Sequence, residues 1–275
     1  MKTTISDSAL SKNKFAESIF RIGSRYSVHK AFDDFLTMSI ASCTQNLKTS
    51  KSYYEDEYLR TIANYKDSEL RQEFPKAFAS LVSEMEDRAD SSLGNDVLGE
   101  FFETNISNGR NGQFFTPYPI CNFMASVNHA DWHCRLDEKA DQKPLRILDT
   151  SCGSGRMLLA AHKVIGIGHE YYGIDIDRIC VKIAAMNLFL NGVWQSEVMC
   201  ANALKPDDFV MSYYISLFPL GIFKIEEKEL SALWHLHKES FHEKVPQKHG
   251  DSPNFMDECL VKKLFKGSTS QLSLF

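Results

Sequence analysis

Ile147-Leu148-Asp149-Thr150-Ser151-Cys152-Gly153-Ser154-Gly155 is the stretch on which the reading of this chain turns. It is followed by the apolar run Met157-Leu158-Leu159-Ala160-Ala161 and then by Tyr172-Gly173-Ile174-Asp175-Ile176-Asp177. The pattern is strand, glycine turn, helix, strand, acid. A buried parallel strand that turns sharply into a helix needs residues without a Cβ at the turn, and Gly153 and Gly155 supply them. A nucleotide-like ligand can then sit at the N-terminus of the next helix. Asp175 closes the next apolar run, at the carboxyl end of a neighbouring strand, where a carboxylate accepts both hydroxyls of a ribose.

The glycines do not follow the G-x-G-x-x-G spacing of dinucleotide sites. Asp149, inside the loop, would repel a pyrophosphate but can accept from an amine or a water beside an amino-acid moiety. The arrangement therefore favours S-adenosylmethionine over NAD.

With these residues in place, the chain resembles the S-adenosylmethionine-dependent DNA adenine-N6 methyltransferases, in particular the modification subunits of type I restriction systems. Gly112-Gln113-Phe114-Phe115-Thr116-Pro117 resembles the family's G-x-F-[FY]-T-P segment, which implies that Phe115, Thr116 and Pro117 cover the methionine end of the cofactor. Asp149 to Gly155 resembles its D-P-x-C-G-[ST]-G loop, with Thr150 where proline is usual; this implies cofactor contacts from Asp149, Ser151, Cys152, Gly153 and Gly155. Gly173 to Asp177 resembles the ribose-binding strand end, with Asp175 on the hydroxyls and Ile176 against the adenine face. Cys200-Ala201-Asn202-Ala203-Leu204 resembles the third cofactor segment, with Asn202 on the adenine amino group. Asp96 to Phe102 looks like the helix leading into the first segment. The order and spacing of these segments are more specific than any one of them. The implied architecture is α/β, a Rossmann-like S-adenosylmethionine methyltransferase fold with three layers and a mostly parallel sheet.

One element of the family pattern is missing. The N6 amine is a poor nucleophile because its lone pair is delocalised into the ring. Its two hydrogens must be accepted and the flipped base stacked, which the family does with an [NDS]-P-P-[FYW] tetrapeptide after the fourth strand. No such tetrapeptide occurs in this chain. Where it should fall, Tyr213 to Gly221 offers only Ser216 at the first position, with Phe218 as an out-of-register ring, and an ordinary buried strand explains the same run. The stretch after Leu204 is short for several further strand-helix units of about 30 residues each, so an incomplete sheet is expected, with sequence-specific DNA reading from a separate specificity chain.

The 275 residues, 43% of them hydrophobic, can bury a substantial core without disulfides. Seven scattered cysteines with no C-x-x-C pair, and no apolar leader at Met1 to Thr4, suggest a reduced cytoplasm, and no run approaches a membrane span. A net charge of −5 is unfavourable for gripping DNA unaided, and Lys262, Lys263 and Lys266 read as a solvated helix face.

Residues 1–94 read as a helical domain. Val28, Phe32, Phe35, Leu36 and Ile40 lie on one apolar face, as do Phe78, Leu81, Val82 and Met85, with Pro75 expected in the first turn of the second helix. Residues 95–266 then form the methyltransferase-like domain and 267–275 a tail. His235, His237 and His242 fall on a helix at spacings that do not converge on a metal and read as surface histidines. The tail ends in Gln271-Leu272-Ser273-Leu274-Phe275, which resembles the bacterial sliding-clamp-binding pentapeptide and implies a DNA polymerase sliding clamp as partner. Two functions are compatible with these features: a DNA adenine-N6 methyltransferase of a restriction-modification type system, or a catalytically inactive methyltransferase-like module that acts as a DNA-associated or clamp-binding subunit.

Overall fold

The computed structural model describes residues 14–44, 54–88, 94–107, 113–135, 144–205, 207–217 and 220–242. Its first four helices are α1 (Lys14–Gly23), α2 (Val28–Ser42), α3 (Glu55–Ala63) and α4 (Ser68–Asp87). Ser27 caps α2 by accepting from the Lys30 amide, and the expected face is inward, with Phe32, Phe35, Leu36 and Ile40 buried. In α4 the helix starts earlier than expected. Asp67 caps it through the Glu69 amide, so Pro75 stands in its interior, where it removes one backbone donor and crowds the preceding turn. The buried face of α4 reaches back to Phe74, and that apolar face together with the Asp67 cap outweighs the proline.

These helices share one core with later parts of the chain. The Phe15 ring packs against Phe32, Phe35 and Phe101, and the Lys182 ammonium pairs with Asp33 at 2.6 Å. Tyr65, one of the aromatic residues near the chain start, is wholly buried against Phe74 and donates to Asp34 at 2.7 Å. Next come α5 (Val97–Phe102), a π-helical turn (Glu103–Ser107) and α6 (Tyr118–Arg135).

The sheet has five strands in the order β1 (Arg146–Asp149), β2 (Glu170–Asp175), β3 (Ser196–Cys200), β4 (Met211–Ser216) and β5 (Gly221–Ile225). The crossover helices α7 (Arg156–Ile165) and α8 (Arg178–Leu190) join β1, β2 and β3 into a parallel unit. Alternation along β3 sorts its side chains onto two faces. Val198 and Cys200 enter the large core with α7 and α8, whereas Met199 and Ala201 meet Leu233 and Trp234 of α9 (Ala232–His242). Among the described residues no helix is long and apolar enough to cross a membrane.

The expected mostly parallel sheet is present in the direction of its strands, with β4 alone reversed. β4 pairs antiparallel with β3, and β5 antiparallel with β4, so the sheet is mixed. A parallel neighbour needs a crossover of a dozen or more residues, usually helical. The short irregular link between Cys200 and Met211 cannot supply one, and the Val210 amide already donates back to Cys200 at 2.9 Å. In this hairpin Ile215 lies opposite Ser196, the first residue of β3. Ser216 therefore sits at the amino end of the parallel strands, the far end from the glycine turn, and cannot accept protons beside a cofactor held there. Phe218 lies outside the described residues, as do Gly112, the lysine run at 262–266 and the tail at 271–275.

Candidate cofactor site at the carboxyl ends of the parallel strands

β1 ends at Asp149, and the chain then turns tightly against β2, the Cys152 amide donating to the Ile174 carbonyl at 2.9 Å. Gly153 has φ +53°, and a Cβ there would lie 2.7 Å from the Phe115 ring, so this glycine is required both by its backbone and by the ring packed across it. Gly155, at φ +86°, opens α7. Phe115 is held in turn by a stacked contact with Phe102 at 5.9 Å and by the Arg156 guanidinium 5.3 Å from its ring centre.

Under the loop lies a buried polar network centred on Asp96. Its carboxylate accepts from Ser154 Oγ and Arg156 Nε, each at 2.5 Å, from Asn187 Nδ2 at 2.7 Å and from the Gly99 amide at 2.7 Å. Asn187 also donates to the Ser154 carbonyl at 2.8 Å, and Arg156 reaches Glu103 in the π-helical turn at 3.4 Å. A buried carboxylate is tolerable only when paired and hydrogen-bonded, and here the bonds to Ser154 and Arg156 also fix the loop. Asp96, Glu103, Arg156 and Asn187 are not among the site residues expected from sequence. Asp96 could have been found as a helix cap; the rest are separated by dozens of residues and carry no local signal.

Asp175 stands at the end of β2, taking the Gly153 amide on one oxygen and the Asp177 amide on the other, both at 2.8 Å. Each oxygen keeps a lone pair for a ligand hydroxyl. Asp149 accepts from the Ser151 amide at 3.1 Å. Burial pushes both carboxyls above the ordinary aspartate range: for Asp149 the neighbouring Asp175 adds to this, and for Asp175 the neighbouring Asp177 does. Two acids so placed attract a ligand carrying hydroxyls and an ammonium and repel one carrying phosphates. The Cys152 thiol is wholly desolvated and pushed well up, so it stays protonated, in keeping with a packing role.

The remaining expected residues surround this centre. Ile176 is 71% exposed, a free apolar surface next to Asp175. Asn202 accepts from the Leu204 amide at 3.0 Å, which occupies one lone pair of the oxygen expected to meet adenine. Thr116 and Pro117 are exposed; the Thr116 carbonyl accepts from Arg156, and that of Pro117 from the first turn of α6. Ser151 is exposed at the loop tip. His237 departs from expectation: it is buried, its Nε2 donating to the Ala203 carbonyl at 2.8 Å, so it ties α9 to the third segment. His235 is exposed as expected.

In an open α/β sheet ligands bind outside the carboxyl ends, where strand order reverses. Here β1 is the outermost strand of the order, so the described residues build one wall of such a crevice.

A glycine turn, an acid ending the first strand and an acid ending the second make up the arrangement that the sequence pattern implied, on an α/β sheet. Comparison with known proteins narrows the class: residues 94–218 match the family model described as N-6 DNA Methylase. The type II restriction enzyme and methyltransferase RM.BcgI of Heyndrickxia coagulans is 27% identical over 172 residues, 55% of this chain and 25% of that protein. The type I restriction enzyme MpnII methylase subunit of Mycoplasma pneumoniae is 24% identical over 62% of this chain and 32% of its own length. A ribosomal protein L11 methyltransferase of Caldanaerobacter subterraneus is 42% identical over 60 residues, 22% of this chain and 18% of that protein. The chain thus spans a third or less of each of these relatives. The matches support the N-6 DNA methyltransferase family, with restriction-modification methylases among the relatives.

Proposed function

We propose that this chain is the S-adenosylmethionine-binding part of a DNA adenine-N6 methyltransferase of the restriction-modification type. The observation that carries the reading is the pair Asp149 and Asp175 beside Gly153, with Phe115 closing the loop. Asp175 would take the ribose hydroxyls, Ile176 one face of the adenine, and Asp149 the amino-acid end, where its charge suits an ammonium. Ser151, Cys152, Gly155, Thr116, Pro117 and Asn202 line the same approach. Held by these residues, S-adenosylmethionine would supply an electrophilic methyl group for N6, with the thioether as leaving group and the N6 proton lost to solvent. The protein's part is to hold the two reactants in line and to exclude water.

A specific observation favours the second reading, in which the chain binds cofactor without transferring methyl by itself. Ser216 is remote from the loop, and β1 has no outer neighbour among the described residues. The acceptor groups for N6 then belong to another segment, as does sequence recognition, for which a separate specificity chain on DNA is the natural source. The pentapeptide Gln271 to Phe275 would link the protein to a sliding clamp, in a cytoplasmic setting. Loss of clamp pull-down in Leu274→Ala with Phe275→Ala would support that link, and unchanged pull-down would remove it.

Isothermal titration with S-adenosylmethionine tests the core of the proposal. Heat from the parent protein that disappears in Asp175→Ala supports the adenosine pocket. No heat from the parent sinks it. Labelled methyl appearing in the adenine of DNA would then select the first reading, and binding without transfer the second.

A further inference from the structure

The segment Gln113 to Phe115 crosses the mouth of the site and is held on both sides. Gln113 Nε2 donates to Asp177 at 2.9 Å, and the Phe115 amide donates to Glu103 at 3.2 Å. Phe115 faces inward across Gly153. Phe114, between the two anchors, is 75% exposed. Isolated exposed apolar residues are common and need no explanation. What distinguishes Phe114 is that its neighbours bind Asp177, the N-cap of α8, and Glu103 in the turn after α5, so its backbone is held between these two anchors with the ring turned to solvent. A ring presented on an immobilised backbone loses little freedom when something flat settles on it.

We propose that Phe114 is a stacking platform for an unpaired nucleobase of DNA brought to this site, an inference that rests on the methyltransferase reading above. The chemistry of the mouth selects the base rather than the backbone. Asp177, which holds Gln113, and Asp175, which holds Gly153 beneath the Phe115 ring, repel phosphate, so a nucleic acid approaches by its uncharged faces. A base swung out of its stack needs an aromatic partner, and stacking on one is tolerant of sequence.

The test is fluorescence anisotropy with labelled single-stranded oligodeoxyadenylate about 12 nucleotides long, within the usual span of such sites, measured with and without S-adenosylmethionine. Phe114→Ala is expected to weaken binding roughly 5- to 150-fold, the range for loss of one stacked base. Phe114→Trp should restore it. Melting temperature and S-adenosylmethionine heat should be unchanged in both variants. Equal oligonucleotide affinity of the parent and Phe114→Ala overturns the proposal, as does a parent that does not bind the oligonucleotide. Loss of cofactor heat in Phe114→Ala also overturns it, because the ring would then be a cofactor cover. The cofactor reading fails separately, through absence of heat from the parent protein.

Discussion

The two edges of the sheet are finished differently. At the β5 edge the backbone is closed by side chains from the N-terminal helices and their flanks: Thr44 donates to the Ile222 carbonyl at 2.7 Å and accepts from the Ile222 amide at 3.0 Å. The Tyr54 hydroxyl accepts from the Lys224 amide at 2.7 Å. At the β1 edge no strand lies outside Arg146 to Asp149 among the described residues, and Leu148 is 46% exposed. An unpaired edge offers a row of free donors and acceptors, which proteins ordinarily cover or blunt. The contrast teaches that the closed edge serves the fold, whereas the open one lies next to the candidate site.

The largest effect is expected where the site and the core meet. Asp96→Ala leaves the Arg156 guanidinium buried without its nearest partner, with only the longer contact to Glu103 remaining as an ion pair, and breaking such a buried pair costs about 3–5 kcal/mol. Denaturant unfolding should show that loss, together with loss of cofactor heat; a variant of parental stability would mean that the network does not lock the loop. At the closed edge, Thr44→Val strips both bonds from Ile222 at a fully buried position and should cost about 1–3 kcal/mol by the same measurement. An unchanged midpoint would break the comparison.

The acids beside the open edge give a dependence on pH. Asp149 and Asp175 have raised pKa values in the folded protein, so they take up protons at a higher pH than free aspartate. On the proposed assignment, S-adenosylmethionine affinity depends on their charge and should begin to fall at a pH above the ordinary aspartate value, by about 1.4 kcal/mol per pH unit for each group once it is mostly protonated. Their contribution to folding has the opposite sign, because a group whose acid form is favoured by the fold stabilises it as the pH drops. Titration calorimetry across this range, with Asp175→Asn as reference, separates the two; affinity flat down to the ordinary range would contradict the assignment. The smallest effect is expected at the open edge itself. Leu148→Lys should change stability by no more than about 0.5 kcal/mol, as for other surface sites. A loss comparable to that in Thr44→Val would show that something already covers β1.

How much of this is legible in the sequence depends on the range of the forces involved. The parallel unit from β1 to β3 is encoded locally, in apolar runs, two glycines and strand-terminal acids, and those signals point to the right elements in the right order. The hairpin of β4 and β5 escapes such reading because a buried apolar run looks the same in a parallel or an antiparallel strand; the length of the preceding link decides. Pro75 misleads because proline is welcome in a first turn, yet the Asp67 cap starts the helix earlier. The Asp96 network is invisible because its members lie far apart in the chain and meet only through packing. His237 looks like a surface residue because its helix position gives no hint of the Ala203 carbonyl that it meets.

The bond between Thr44 and Ile222 spans 178 residues. During synthesis the N-terminal helices therefore emerge long before the strand they protect, and must wait for almost the whole described chain to leave the ribosome. Closing such long-range contacts is slow, and the helices' apolar faces stay uncovered meanwhile. The contact that guards the finished sheet thus makes the newborn chain dependent on holding the helices before Thr44 apart until β5 arrives.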